Sequence, residues 1–95
     1  MTIDGWIVLK NSNGLLELFK KVNVKTNVDS VRFELPIPFI DKETAVGSLI
    51  DAHTGTDGFR AYDLSIFEDK IDVRVYSSNS SFTSTCRIWL KGFWK

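Results

Sequence analysis

The feature that most constrains this chain is a strict alternation of apolar and polar side chains. In VRFEL, Val31, Phe33 and Leu35 alternate with Arg32 and Glu34. In IDVRVY, Ile71, Val73 and Val75 alternate with Asp72, Arg74 and Tyr76. The closing stretch CRIWLKGFWK puts Cys86, Ile88, Leu90, Gly92 and Trp94 on one face and Arg87, Trp89, Lys91, Phe93 and Lys95 on the other. Successive side chains of a strand point to opposite faces. A period of two therefore predicts half-buried antiparallel strands, with one face on a core and one toward water.

The segments between these runs are turn signals. NSNG at Asn11–Gly14 separates WIVLK from LLELFKKVNVKT, and Asn-Gly is a strong hairpin signal. FEDKI, around Asp69, reads as a second hairpin. HTGTDG (His53–Gly58) and SSNSSFTST (Ser77–Thr85) read as polar loops. Both prolines lie in PIPF, and a central strand has no place for a residue without an N–H, so Pro36 and Pro38 belong at a strand end or an edge. LLELFKKV also fits helical spacing through Leu15, Leu18, Phe19 and Val22. It lacks a good cap and runs on into VNVKT, which favours a strand. Strands are expected at about 5–10, 15–25, 31–35, 45–51, 60–67, 71–76 and 85–94. The fold class is all-β: a small antiparallel β-sandwich of about seven strands, with residues 1–95 forming a single domain.

Charge and cysteine content narrow the function classes. Twelve basic residues balance twelve acidic ones. Nucleic-acid binding draws on a basic excess or stripe, and anionic membranes on a basic patch, so neither partner is expected. Cys86 is the single cysteine and cannot form an internal disulfide; on an apolar strand it reads as a small buried hydrophobe. The N-terminus lacks a signal-peptide pattern, and no apolar run approaches the length of a membrane span.

Catalytic and metal motifs are weak. Asp51, His53 and Asp57 lie close in sequence, but a metal site needs three or four converging ligands and the chain has one histidine. Pairs drawn from Glu17, Glu34, Asp51, Asp57, Glu68, Asp69 and Asp72 could be imagined for glycoside hydrolysis. Most alternate with apolar residues, as a solvated strand face does. No Gly-rich phosphate loop opens a helix, so neither an enzyme nor a cofactor is expected. The terminal strand is more distinctive, because it sets Trp89 and Phe93 among cations. Three readings fit: amphipathic cover by Lys and Arg stems, an oligomer contact rich in aromatics and Arg, or a platform on which a sugar stacks.

The order of these pieces resembles the C-terminal tip domain of bacteriophage and prophage tail fibres. In that family a Gly-Leu segment begins a long strand soon after a short one, here GWIVLKNSNGLLELFKKV. A PIPF-like segment follows an alternating strand, here VRFELPIPF. An aromatic-rich strand with a glycine near its end closes the chain, here RIWLKGFWK. Many such tips place Trp and Gly directly after the first Gly-Leu strand, where this chain has LFKKV. The resemblance spans residues 5–95. It implies a homotrimeric receptor-binding head at the virion's tail-fibre tip, attaching to a host cell-surface glycan without nucleic acid and without membrane insertion. Many weak sites acting together give durable attachment. The resemblance carries over no residue-level ligand motif. Read from loops and strand ends, the expected contacts are His53, Asp57, Arg60, Tyr62, Asn79, Phe82 and Trp89, with Tyr62, Phe82 and Trp89 stacking and the others bonding hydroxyls or a charged substituent. A non-viral carbohydrate-binding or adhesion module of the same fold is the alternative.

Overall fold

The computed structural model describes residues 1–51, 60–77 and 83–95, apart from the side chains of Asp51, Arg60 and Ala61. The strands are β1 (Thr2–Ile3), β2 (Trp6–Lys10), β3 (Leu15–Lys25), β4 (Val31–Glu34), β5 (Val46–Asp51), β6 (Arg60–Ile66), β7 (Lys70–Ser77) and β8 (Thr83–Phe93). They form a five-stranded sheet in the order β1-β2-β3-β8-β5 and a three-stranded sheet in the order β4-β7-β6. Every pairing is antiparallel. The expected β-sandwich is present, and LLELFKKV is the first part of an eleven-residue strand.

The alternation read in the sequence is the alternation between core and outer faces. Val8, Leu16, Leu18, Val22 and Val24 face inward from β2 and β3, and Cys86, Ile88 and Leu90 from β8. Ile71, Val73 and Val75 meet them from β7, and Trp6, 1% exposed, is the largest fully buried side chain. Burying such side chains is worth roughly 1.5–3 kcal/mol each, the dominant favourable contribution in a domain without disulfides. Cys86 lies in this layer as a buried thiol touching Ser84.

Two elements were not anticipated. One is β1, joined to β2 by a two-residue turn with φ of 52° at Asp4 and 82° at Gly5. Two consecutive positive φ values are the signature of a type I′ hairpin, for which Asp-Gly is a preferred pair. The other is a short 3₁₀ turn at Lys42–Thr44, where the Asp41 carboxylate accepts from the Glu43 N–H at 2.9 Å. The hairpins at Asn11–Gly14 and around Asp69 form as expected, the first with φ of 102° at Gly14.

The PIPF segment ties the sheets together. Pro36 and Pro38 lie just beyond β4, an edge strand. The Phe39 N–H donates to Glu68 O at 2.7 Å in the β6–β7 turn, and the Ile40 N–H donates to Phe93 O at 2.8 Å on β8. Phe39 is 2% exposed and its ring lies over Gly92. A Cβ at Gly92 would stand 2.6 Å from Phe39 Cδ1. The glycine near the end of the chain is therefore the seat of this ring.

Candidate binding site

The two outer faces of the sandwich differ in kind. On the three-stranded sheet several polar side chains pair with one another, while the buried Arg74 Nε has no hydrogen-bond partner among the described residues. The Arg32 guanidinium donates to both carboxylate oxygens of Asp72, at 2.8 and 3.1 Å. The Tyr76 hydroxyl donates to Asp63 Oδ2 at 2.8 Å, and Arg74 lies 4.7 Å from the Tyr76 ring centroid. These contacts move titrations. The hydrogen bond from Arg32 holds the Asp72 carboxyl below its ordinary range, and the bond to Asp63 raises the Tyr76 phenol.

A carboxyl depressed in the folded state contributes stability above its unfolded pKa and loses it as pH falls through the folded value. The melting temperature is therefore expected to decline on acidification below about pH 4, and Asp72→Asn to flatten part of that limb. Thermal melts of both proteins between pH 2 and 6 check this. The effect is small, because the Arg32 side chain is 54% exposed and solvent screens the pair.

The outer face of the five-stranded sheet carries an apolar patch interspersed with a few charges. Register puts Ile7, Phe19, Trp89 and Ser48 in one row across β2, β3, β8 and β5. The next row toward the β2–β3 turn holds Leu9, Glu17, Lys91 and Val46. On the other side, Lys21, Arg87 and Ile50 follow one another across β3, β8 and β5. Ile7, Leu9, Val46, Ile50 and Phe93 are 44–58% exposed, far more than core residues of their type. Exposed apolar side chains gathered on one sheet face, rather than scattered singly, mark an interaction surface.

Trp89 is fixed within this face. Its indole Nε1–H donates to Glu17 Oε2 at 3.1 Å across the β3–β8 pair, and Phe19 stands directly opposite it. The hydrogen bond sets the ring's orientation and leaves its apolar surface to other contacts. Around it lies a groove of about 760 Å³ whose lining includes Ile7, Phe19, Lys21, Ile50, Arg87 and Trp89. That volume falls within the range of small-ligand sites, which run to about 300–1,000 Å³.

Of the residues expected to make contacts, Trp89 occupies this groove. Tyr62 is on the other sheet. It stands opposite Val75 on the core-facing side of β6, near the strand end, and is 45% exposed. Tyr62 and Trp89 therefore do not form one stacking platform. Arg60 opens β6, opposite Ser77. His53, Asp57, Asn79 and Phe82 lie outside the described residues.

The sequence reading did not single out Ile7, Phe19, Lys21, Ile50 or Arg87 as contact residues. For Ile7 and Phe19 the signal was the apolar content on both faces of WIVLK and LLELF, where a half-solvated strand would carry polar residues on one. Terminal Trp94 has a separate place: its Nε1–H donates to Asn11 O at 2.9 Å and Lys10 Nζ lies 4.1 Å from its ring centroid.

No protein-family model, curated protein or solved structure matches the chain.

Proposed function

We propose that this chain is a receptor-binding module of the tail-fibre-tip kind, which attaches to a host cell-surface saccharide through the outer face of its five-stranded sheet. The observation that carries the reading is the hydrogen-bonded Trp89, fixed in an apolar groove on one outer face, whereas the opposite face carries the Arg32–Asp72 ion pair and the Tyr76–Asp63 hydrogen bond. An aromatic ring held edge-on by a carboxylate offers its face to the C–H surface of a sugar. The cations beside it supply donors for hydroxyl or charged substituents.

The same face divides along its length. The end with Leu9, Val46 and Phe93 has the composition of a subunit contact, whereas the end holding Phe19, Trp89, Lys21 and Arg87 suits a ligand. A homotrimer joined at the Leu9–Val46–Phe93 end would present its ligand grooves together. That converts weak single-site affinity into firm attachment through effective concentration.

Light scattering on a sizing column and an array of neutral and acidic bacterial surface glycans test this reading. A mass near three times 10.8 kDa and retention of at least one glycan class are expected. A monomer that binds nothing on the array would overturn it.

A further inference from the structure

Two cations on the groove stand side by side. Lys21 on β3 is the direct cross-strand partner of Arg87 on β8, so both side chains leave the same face. Directly opposed residues on antiparallel strands have Cβ atoms about 4.5–5.5 Å apart, and like charges in that position repel. Neither makes an ion pair or side-chain hydrogen bond among the described residues.

Several other cations have partners in the fold. Arg32 is held by Asp72, Lys20 Nζ donates to Asp4 O at 3.1 Å, and Lys91 stands opposite Glu17. Lys10 and Lys95 lie over the Trp94 ring. The Lys21–Arg87 pair thus sets two exposed like charges side by side on the lining of the groove. Sites that break a local rule of stability without compensation inside the fold are where function is expected.

Resting on the saccharide reading above, we infer that the group recognised is an anion: the groove takes an acidic saccharide whose carboxylate or phosphate sits between Lys21 and Arg87 while its ring lies against Trp89 and Phe19. One negative charge between the two cations turns their repulsion into two attractive contacts. Arg87 offers the planar fork that matches a carboxylate or phosphate, and Lys21 a point charge. Ile50, next to Arg87 in register, and the aromatic row beside the pair give the anion an apolar flank, and a ligand seated there would displace water and strengthen charge-assisted bonds. Single-stranded nucleic acid also combines anions with stacking rings. It tracks along an extended basic groove, and the chain's formal net charge of zero does not favour it.

The test titrates isotope-labelled protein, followed by NMR, with hexagalacturonate, with maltohexaose as a neutral chain of equal length, with inorganic phosphate, and with a twelve-residue oligothymidylate. Hexagalacturonate is expected to move the Lys21, Arg87 and Trp89 indole signals and to bind about tenfold or more tightly than maltohexaose. Inorganic phosphate moving the Lys21 and Arg87 signals alone would assign the pair to phosphate as well as carboxylate, within the same inference. Lys21→Gln and Arg87→Gln are each expected to weaken hexagalacturonate about tenfold while raising the melting temperature of the unliganded protein by roughly 1–4 °C. A merely structural role would lower both. Equal binding of the neutral chain, no shift with hexagalacturonate, or tighter binding of the oligothymidylate at these signals would overturn the inference. If neutral glycans are then still retained on the array, only the anion assignment falls; an array without any retained glycan removes the saccharide reading itself.

Discussion

Phe39→Ala is expected to cost about 3–5 kcal/mol of folding free energy, the range for emptying an aromatic site in a core. Against a total of about 5–15 kcal/mol for a natural domain, that leaves little margin. Phe39 does more than fill space. It is 2% exposed, and its flanking backbone joins the β6–β7 turn of one sheet to β8 of the other. Removing the ring opens the end of the sandwich where these tethers meet. Gly92→Ala attacks the same contact from the other side, since the new Cβ would stand 2.6 and 2.8 Å from two ring carbons. Overpacking of that kind costs about 1–3 kcal/mol. In the Phe39→Ala background the ring is gone, so Gly92→Ala should become nearly neutral, a strongly non-additive pair. Urea melts of the four proteins, followed by tryptophan fluorescence, measure the cycle. Additive effects, or a Phe39→Ala cost below about 1 kcal/mol, would show that this contact does not close the sandwich.

Trp89→Ala is expected to abolish most saccharide binding while the fold survives. Central aromatic residues of interfaces lose about 2 kcal/mol or more on truncation, a loss of roughly thirtyfold or more in affinity. The ring points away from the core and is held by Glu17, so the sandwich beneath keeps its apolar layer. Glu17→Gln preserves an acceptor for the indole N–H and should bind nearly as well as the parent. Glu17→Ala removes it, lets the ring turn, and should give an intermediate loss. Binding isotherms against the best-retained glycan, with melting temperatures alongside, distinguish loss of a contact from loss of the fold. Unchanged binding by the Trp89→Ala protein would remove the groove from the reading.

Much of the fold was legible in the sequence because its strands are half-buried. In VRFEL and IDVRVY each side chain's face follows from its neighbour's, and register then places the whole strand. Asn11–Gly14 and the region of Asp69 declared their turns through residues suited to them. The Asp4-Gly5 turn carried an equally good signal but closes a strand of two residues, too short to show alternation. The site was harder to read. Trp89 could be assigned to the outer face from its own strand. Its neighbours Phe19, Ile7 and Ile50 come from three other strands and meet it only through pairing. Contiguity across a sheet depends on strand order, which a local pattern does not contain. The same limit explains why Tyr62, grouped with Trp89 as a stacking residue, lies on the other sheet.

The β3–β8 pair has a consequence for how the molecule comes into being. Its register joins residues 78 positions apart at one end (Leu15 with Phe93) and 58 apart at the other (Lys25 with Thr83). Before β8 is available, the larger sheet has only the β1–β2–β3 meander on one side and an unpaired β5 on the other. Both then expose an apolar face and an open hydrogen-bonding edge. Non-local closure of this kind is slow, on the order of milliseconds to seconds for β-sandwiches. During synthesis the wait is longer, because at about 5–20 residues per second the stretch from β3 to β8 takes several seconds to make. The nascent chain thus spends its most adhesive interval before β8 exists, and another copy's β8 could fill the gap between β3 and β5 as well as its own.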